Sequence, residues 1–457
     1  MSERPLRVAV VGSGPAGFYA ADRALSTDRP VEVDIIERLP TPWGLVRLGV
    51  APDHPKIKAV SKAYEKTATK EGFRFLGNVE IGRDLTHGDL EGLYDAVVYC
   101  VGAQTDRRMN IPGEDLPGSW PATEFVAWYN GHPDHEHLDF DLSGERAVVI
   151  GMGNVAVDVA RMLALTEEEI RPTDTTDEAI DAILGSGIEE IQMLGRRGPA
   201  QAAFTPPELK ELDELAGADL LIDPAEIVLD ENSESFLEDA PATTKRNMEL
   251  LREFAGAART DLPRALRLRF LVSPVAILGE ERVEAVEVVR NELVADDDGW
   301  IRAVPTDETE MIPCRIVFRS VGYLGVPLEG LPFDRKRMIL PNEAGRVTAE
   351  DGTPLQGVYC AGWIKRGPSG VIGTNKKDAT ESVDNLLEDA DNGLLPACES
   401  SSAEVDALLA DRGTHVVTYE AWDAIDRHER EQGEPHGRPR VKLATWNDLL
   451  EKARSIT

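Results

Sequence analysis

The chain has 457 residues, of which 42% are hydrophobic and 29% charged, an ordinary globular composition that excludes a mostly disordered protein. Its 49 Lys and Arg stand against 82 Asp and Glu, and the resulting net charge of −33 disfavours nucleic acid and anionic membranes as partners. No run approaches about 18 consecutive apolar residues, so no membrane insertion is expected, and the length exceeds one typical core, so two domains are.

The first predicted strand, Leu6 to Val11, starts close to Met1. It leaves no room for a signal or transit segment, and the expected location is cytoplasmic. Gly12, Gly14 and Gly17 follow as G-x-G-x-x-G, with a helix predicted from Pro15. Two of these glycines let the backbone turn tightly and approach a pyrophosphate, and the third lets helix and strand pack closely. The helix start points its amides at the phosphates. A second strand, Val31 to Glu37, ends in an acid about twenty residues after Gly17, where a carboxylate accepts hydrogen bonds from ribose hydroxyls. A 2′-phosphate beside Glu37 would be repelled, so this site is read as one for FAD or NAD rather than NADP.

Further along, Tyr94 to Ala103 reads as a strand ending in glycine, and the Pro- and Gly-rich Ile111–Gly118 as a hinge. Arg146 to Ala156 (RAVVIGMGNVA) then echoes Arg7 to Gly17 (RVAVVGSGPAG), with Ala156 in the place of the third glycine. The helix after it carries Val155, Val159, Met162 and Leu163 on one apolar face. Thr166–Glu178 and Asp230–Asp239 read as acidic, solvated excursions. Between them, the strand Ile188 to Leu194 ends in Gly195, Arg196 and Arg197, two arginines where the first copy has an acid. A guanidinium fork binds phosphate through two charge-assisted hydrogen bonds, so this second cradle is read as an NADP site. At roughly 1.5–3 kcal/mol per such bond, the pair could favour NADPH over NADH about a hundredfold or more.

Arg315 to Tyr323 and Gly357 to Trp363 are two more strands ending in glycine, and the latter leads into the glycine-rich Arg366–Thr374. Gly370 to Gly373 precede a predicted helix, so their amides could stabilise negative charge on a bound cofactor. The tail from Asp391 to about Arg412 is expected at the surface, with Val416 to Ile456 returning as strand and helix. The fold class expected is α/β, with two Rossmann-like dinucleotide-binding domains and the NADP domain inserted into a discontinuous FAD domain. The expected boundaries are 1–105 for the first part of the FAD domain, 106–324 for the NADP domain and 325–457 for the second FAD part.

Several segments are similar to the adrenodoxin-reductase type of ferredoxin–NADP reductase over nearly the whole length. They are Pro42–Pro55 (PWGLVRLGVAPDHP), Gln201–Glu211 (QAAFTPPELKE), Trp363–Asn375 (WIKRGPSGVIGTN) and Glu434–Lys442 (EPHGRPRVK). The resemblance implies FAD contacts at Gly12, Gly14, Ala16, Gly17, Glu37, Leu45, Val79, Trp363, Gly370, Val371 and Ile372. It implies NADP contacts at Met152, Gly153, Asn154, Val155, Arg196, Arg197, Glu208 and again Gly370. His54, in the flavin-side loop, and Glu211, one helical turn after Glu208, are the catalytic candidates. His54 could tune the flavin or relay a proton, but hydride transfer itself needs no acid or base, so neither is expected to be indispensable.

The activity implied is an NADPH:ferredoxin oxidoreductase. A hydride passes from NADPH to FAD, and two single electrons then pass to a ferredoxin-type iron–sulfur protein. The scattered cysteines, Cys100, Cys314, Cys360 and Cys398, contain no C-x-x-C pair. That argues against a thioredoxin-reductase-like dithiol, an iron–sulfur cluster or a metal site. Two alternatives remain at this level: the same fold acting on a quinone or small organic acceptor, and a non-catalytic redox sensor. Ferredoxins are typically acidic, so docking calls for a local basic patch. Lys245/Arg246 with Arg252, Arg264/Arg267/Arg269 and Lys365/Arg366 are the candidates. The oligomeric state is not fixed by the sequence.

Overall fold

The structure is a computed structural model, and it describes residues 4–296 and 301–455. Met1 and Ile456, which bound two of the expectations above, lie outside the described residues. The chain divides into two compact units. One comprises residues 1–105, 322–435 and 442–457, the other 106–321 and 436–441.

In the first unit seven strands form one sheet. Its order is Asn342–Glu343, Arg346–Thr348, Pro354–Cys360, Ala96–Tyr99, Leu6–Val11, Val31–Glu37 and Phe73–Gly77. The five strands from Pro354–Cys360 to Phe73–Gly77 are parallel. A parallel strand covered on both faces needs apolar side chains on both, which is why the sequence runs LRVAVV instead of alternating. Val8 and Val10 pack into one core cluster, Ala9 and Val11 into another on the opposite face. Leu6–Val11 is also where the strand order reverses, since Val31–Glu37 pairs on one side and Ala96–Tyr99 on the other. Chain connections leave that point in opposite directions and open a crevice at the carboxyl ends of the strands.

The second unit repeats the plan. Its parallel sheet has the order Ser119–Pro121, Ile316–Arg319, Arg146–Ile150, Glu190–Gly195, Arg264–Phe270, Ala218–Ile222. Ala147 and Val149 enter one core, Val148 and Ile150 the other. The reversal falls at Arg146–Ile150, the strand that carries the second glycine turn. An antiparallel ribbon, Val272–Leu278, Ala285–Ala295 and Ile301–Pro313, completes the unit.

Three local expectations are corrected. The predicted hinge at Ile111–Gly118 is pinned inside the second unit. Glu114 is buried and accepts from the amides of Met109 and Asn110 and from Arg319, while the carbonyls of Pro112 and Pro117 accept from the amides of Ile277 and Val283. Thr166–Glu178 is not simply a solvated excursion, because Thr173 to Thr176 are buried and Arg438 bonds to the carbonyls of Thr173 and Thr175. That contact draws residues 436–441 into the second unit. The return near Val416 is a single bridge from Val417 to Gly77, followed by two helices, Tyr419–Gly433 and Trp446–Arg454.

The two glycine turns differ at their third position for a steric reason. A Cβ on Gly17 would lie 1.9 Å from the carbonyl oxygen of Gly12, whereas Ala156 is accommodated and fully buried. Gly17→Ala is therefore expected to destabilise the fold by about 1–3 kcal/mol through overpacking. Ala156→Gly should cost about 1 kcal/mol through helix propensity alone. Urea unfolding midpoints of the two variants measure the difference.

Candidate dinucleotide-binding sites

The first cradle is built by the turn between Leu6–Val11 and the helix Pro15–Ala24. Proline at the helix start needs no amide partner there, and the free amides of the first turn face the crevice. Glu37 closes the turn: one of its carboxylate oxygens accepts from the Ser13 amide at 3.0 Å and hydroxyl at 2.6 Å, the other from the Leu39 amide at 3.0 Å. A carboxylate has about four acceptor positions, so Glu37 keeps capacity for a ribose. A side chain at Gly14 would meet nothing, which leaves the turn open to a pyrophosphate.

Distant segments converge on this turn. The Trp43 amide donates to the Ser13 carbonyl at 3.0 Å, and Gly44 packs against the Cα of Gly14. Gly362 packs against the methyl of Ala16, so the loop at 42–48 and the segment 362–375 both abut this glycine turn. Trp43 is held at φ 82°, a conformation costly for a bulky residue, with its ring edge-on to Trp422 at 5.0 Å. The loop is braced from below by a buried pair: Arg47 donates to Glu429 at 2.8 and 2.6 Å. Leu45, at the exposed end of this loop, is 45% accessible, and Val371, at the start of the helix Ile372–Asp391, is 61% accessible. Large apolar side chains left open beside a helix N-terminus fit an aromatic ligand that would cover them. The Trp363 indole N–H is buried without a hydrogen-bond partner among the described residues, and its ring lies 5.3 Å from that of Tyr323. Val79, by contrast, is 1% exposed and packed in the core with Ile36 and Leu76. His54 caps the short helix Pro55–Lys58 and is partly buried.

Lys365 and Arg366 are corrected as docking residues. Lys365 is 6% exposed and bonds to Glu381 at 2.6 Å, Ser382 at 3.0 Å and Asp378 at 3.2 Å. Arg366 reaches Asp378 and Asn375. Both cations tie the segment 363–366 to the helix Ile372–Asp391.

In the second unit Met152 to Val155 turn from Arg146–Ile150 into the helix Asn154–Ala164. Asn154 accepts from the Thr205 amide at 2.9 Å, and the Met152 carbonyl from the Ala203 amide at 2.8 Å, tying the turn to the segment 201–211. Gly195 lets the Met152 side chain lie over the end of its strand. Arg196 and Arg197 come next, and both are exposed. No acid pairs with either guanidinium among the described residues, although carboxylates dominate this chain. Partial desolvation of the guanidinium and the neighbouring Arg196 charge hold Arg197 below its ordinary pKa, although the residue as a whole is exposed, and a bound anion would offset the Arg196 charge. The other arginines nearby are committed, which corrects the second docking candidate. Arg264 is turned onto the carbonyls of Leu165, Ile183 and Ile188, Arg267 pairs with Glu190, and Arg269 pairs with Glu226 and Glu310.

Two residues escaped the sequence reading. Asn291, buried in the ribbon beside a bulge, donates to the Arg196 carbonyl at 2.8 Å, and the Leu271 amide holds the Arg197 carbonyl. The arginine loop is thus fixed by its main chain while its side chains stay available. Arg161, buried in the helix Asn154–Ala164, donates to Asp158 at 2.8 Å, Glu211 at 3.1 Å and Glu208 at 3.4 Å. It holds both acids of the segment 201–211 in place. A cation within an otherwise apolar helical face, and an asparagine within a β-branched run, were the available signals.

Two glycine turns at two strand-order reversals, one acid-ended and one arginine-ended, define an oxidoreductase of the two-dinucleotide-binding-domain flavoprotein class. Residues 6–193 match the pyridine nucleotide-disulphide oxidoreductase family. The chain is 50% identical over 459 residues to the NADPH-ferredoxin reductase FprA of Mycobacterium tuberculosis, covering 98% of this chain and 99% of that protein. It is 41% identical to the mitochondrial NADPH:adrenodoxin oxidoreductase of Arabidopsis thaliana, across 99% of this chain and 96% of that one. The solved structure of Mycobacterium tuberculosis FprA in complex with NADPH matches with a TM-score of 0.93 and 48% identity, covering 99% of this chain and 100% of that one. The chain belongs to the NADPH-ferredoxin reductase family, of the adrenodoxin-reductase type.

Removing Glu429 leaves Arg47 charged and unpaired in the core, so Glu429→Ala is expected to cost about 3–5 kcal/mol. Differential scanning calorimetry should show a melting temperature lower by about 6 °C or more.

Proposed function

We propose that this protein is an NADPH:ferredoxin oxidoreductase that holds FAD in its first unit and NADP(H) in its second. The observation that carries this reading is the opposite charge at the ends of two otherwise equivalent cradles, Glu37 in one and Arg196 with Arg197 in the other. Full-length similarity to reductases of that name supplies the acceptor class.

When bound, FAD supplies the chemistry, taking a hydride from NADPH and releasing electrons singly to an iron–sulfur protein. The protein's own residues bind, orient and shield. Gly12 to Gly17 and the first turn of Pro15–Ala24 hold the FAD pyrophosphate, and Glu37 accepts from the adenosine ribose. Leu45 and Trp363 cover the flavin. The amides of Gly370 and Ile372, at the start of a 20-residue helix, stabilise negative charge on its ring, and Val371, whose amide donates to Thr374 Oγ1 at 3.2 Å, offers its exposed side chain. Met152 to Val155 receive the NADP pyrophosphate, and Arg196 and Arg197 fork its 2′-phosphate. Glu208 and Glu211, oriented by Arg161, accept hydrogen bonds from the nicotinamide carboxamide. His54, at the flavin-side loop, is placed to relay a proton rather than to take part in hydride transfer. A cytoplasmic setting suits the four cysteines, which are free and buried. Among the described residues no helix is long and apolar enough to cross a membrane.

The purified protein is expected to be yellow and to bleach anaerobically with NADPH much faster than with NADH; a colourless chain that cannot be loaded with flavin would end this reading. Arg196→Ala with Arg197→Ala should raise KM for NADPH about a hundredfold while leaving KM for NADH nearly unchanged. Equal effects on both coenzymes would remove the pair from the 2′-phosphate. Asn291→Ala, which frees the loop but keeps both guanidiniums, should raise KM for NADPH less than the double variant, and steady-state kinetics with both coenzymes tests the order.

A further inference from the structure

Two of the three basic patches picked out in the sequence are internal or paired, and in the third Lys245 donates to the Glu238 carbonyl and Arg246 pairs with Glu249, which leaves the question of where an acidic electron carrier meets a protein of charge −33. The segment following the flavin-side loop answers it. Pro55–Lys58 and Ser61–Ala68 form two helices joined by a short turn, and their sequence from 55 to 70, PKIKAVSKAYEKTATK, holds five lysines and one acid. That acid, Glu65, is engaged by Arg430 at 3.1 Å and does not neutralise the lysines. Lys70 is spent on Asp22 at 2.6 Å. Lys56, Lys62 and Lys66 are exposed, and among the described residues none has a carboxylate partner. Lys62 and Lys66 are one helical turn apart and share a face.

What lies between the lysines is as informative as the charge. Between Lys56 and Lys66 the other exposed positions are Ile57, which is 42% accessible, Ala59 and Ala63. Buried beneath them, Tyr64 stacks on Phe18 of the helix Pro15–Ala24 at a centroid distance of 4.9 Å, so the face is seated on the helix that starts the FAD cradle. A small apolar centre with a cationic rim is the composition of a transient electrostatic interface: the apolar centre allows close approach, and the rim steers the encounter. Elsewhere on this acidic surface exposed arginines are commonly tied to acids, as Arg23 is to Asp384, Arg83 to Asp84, Arg171 to Glu167 and Arg427 to Asp423. An unneutralised cationic face here has charge to offer a partner.

We propose that the exposed face formed by Lys56, Ile57, Lys62, Ala63 and Lys66 is the docking surface for the acidic ferredoxin-type iron–sulfur protein. The inference rests on the ferredoxin-reductase reading. It places the entry point for the acceptor on the FAD-binding unit, next to the loop that carries Leu45 and His54, which keeps the path from flavin to carrier within one unit.

The test uses the full-length flavin-loaded enzyme carrying Lys56→Gln, Lys62→Gln and Lys66→Gln together. With an acidic ferredoxin and cytochrome c as final acceptor, KM for ferredoxin should rise at least about fivefold, and the slowing of turnover with added salt should flatten. NADPH-dependent reduction of ferricyanide, which needs no docking, should stay at the wild-type rate, and the charge-conserving Lys→Arg triple variant should restore KM for ferredoxin. A wild-type KM and salt slope in the Gln variant would overturn the surface, as would finding the fivefold loss instead in Lys245→Gln with Arg246→Gln and Arg252→Gln. A wild-type enzyme that reduces ferricyanide but no ferredoxin would overturn the underlying reading and the surface with it, a result distinct from a docking failure.

Discussion

Unsatisfied backbone amides at the end of a parallel strand are the feature on which everything else in this protein depends. A helix leaves its first amides without internal partners, and a sheet opens a crevice only where the strand order reverses. Both conditions are met at Leu6–Val11 and again at Arg146–Ile150, each followed by a tight turn into a helix. Buried strands on either side hold the geometry rigid, since Val8 and Val10 face one core and Ala9 and Val11 the other.

The two cradles differ in what stands at the tip of the next strand. Glu37 and Arg196/Arg197 occupy equivalent places, and the chain treats them in opposite ways. The acid is partly consumed by Ser13 and Leu39, which makes it part of the turn and leaves acceptor capacity over. The arginines are kept from every acid among the described residues and are fixed only through their carbonyls, by Asn291 and the Leu271 amide. In a protein so rich in carboxylates, leaving two adjacent guanidiniums unneutralised is unfavourable in isolation and makes sense only with an anion to receive.

The same economy of charge runs through both units. Arg47, Lys365 and Arg161 are buried cations whose pairing with Glu429, with Asp378 and Glu381, and with Glu208 and Glu211 fixes the loop at 42–48, the segment 362–375 and the segment 201–211. Buried pairs contribute little net stability but are costly to break, so they fix conformation rather than strengthen the fold. The exposed lysines of the segment 55–66 are the complement, cations left free at the surface.

The α/β class, the two glycine turns and the opposite charge at their strand ends were legible in the sequence because they depend on local rules. Period, turn chemistry and strand-end charge act within one β-α-β unit. The tertiary structure alone decided which cations are free. Lys365, Arg264 and Arg269 read like surface charges but are committed inside, while Lys56, Lys62 and Lys66 are exposed without an acid partner among the described residues. It also revealed Arg161 and Asn291, whose partners lie about 50 and 95 residues away. Pairing of charges depends on distances in space between segments far apart in the chain, and a one-dimensional pattern carries no record of them.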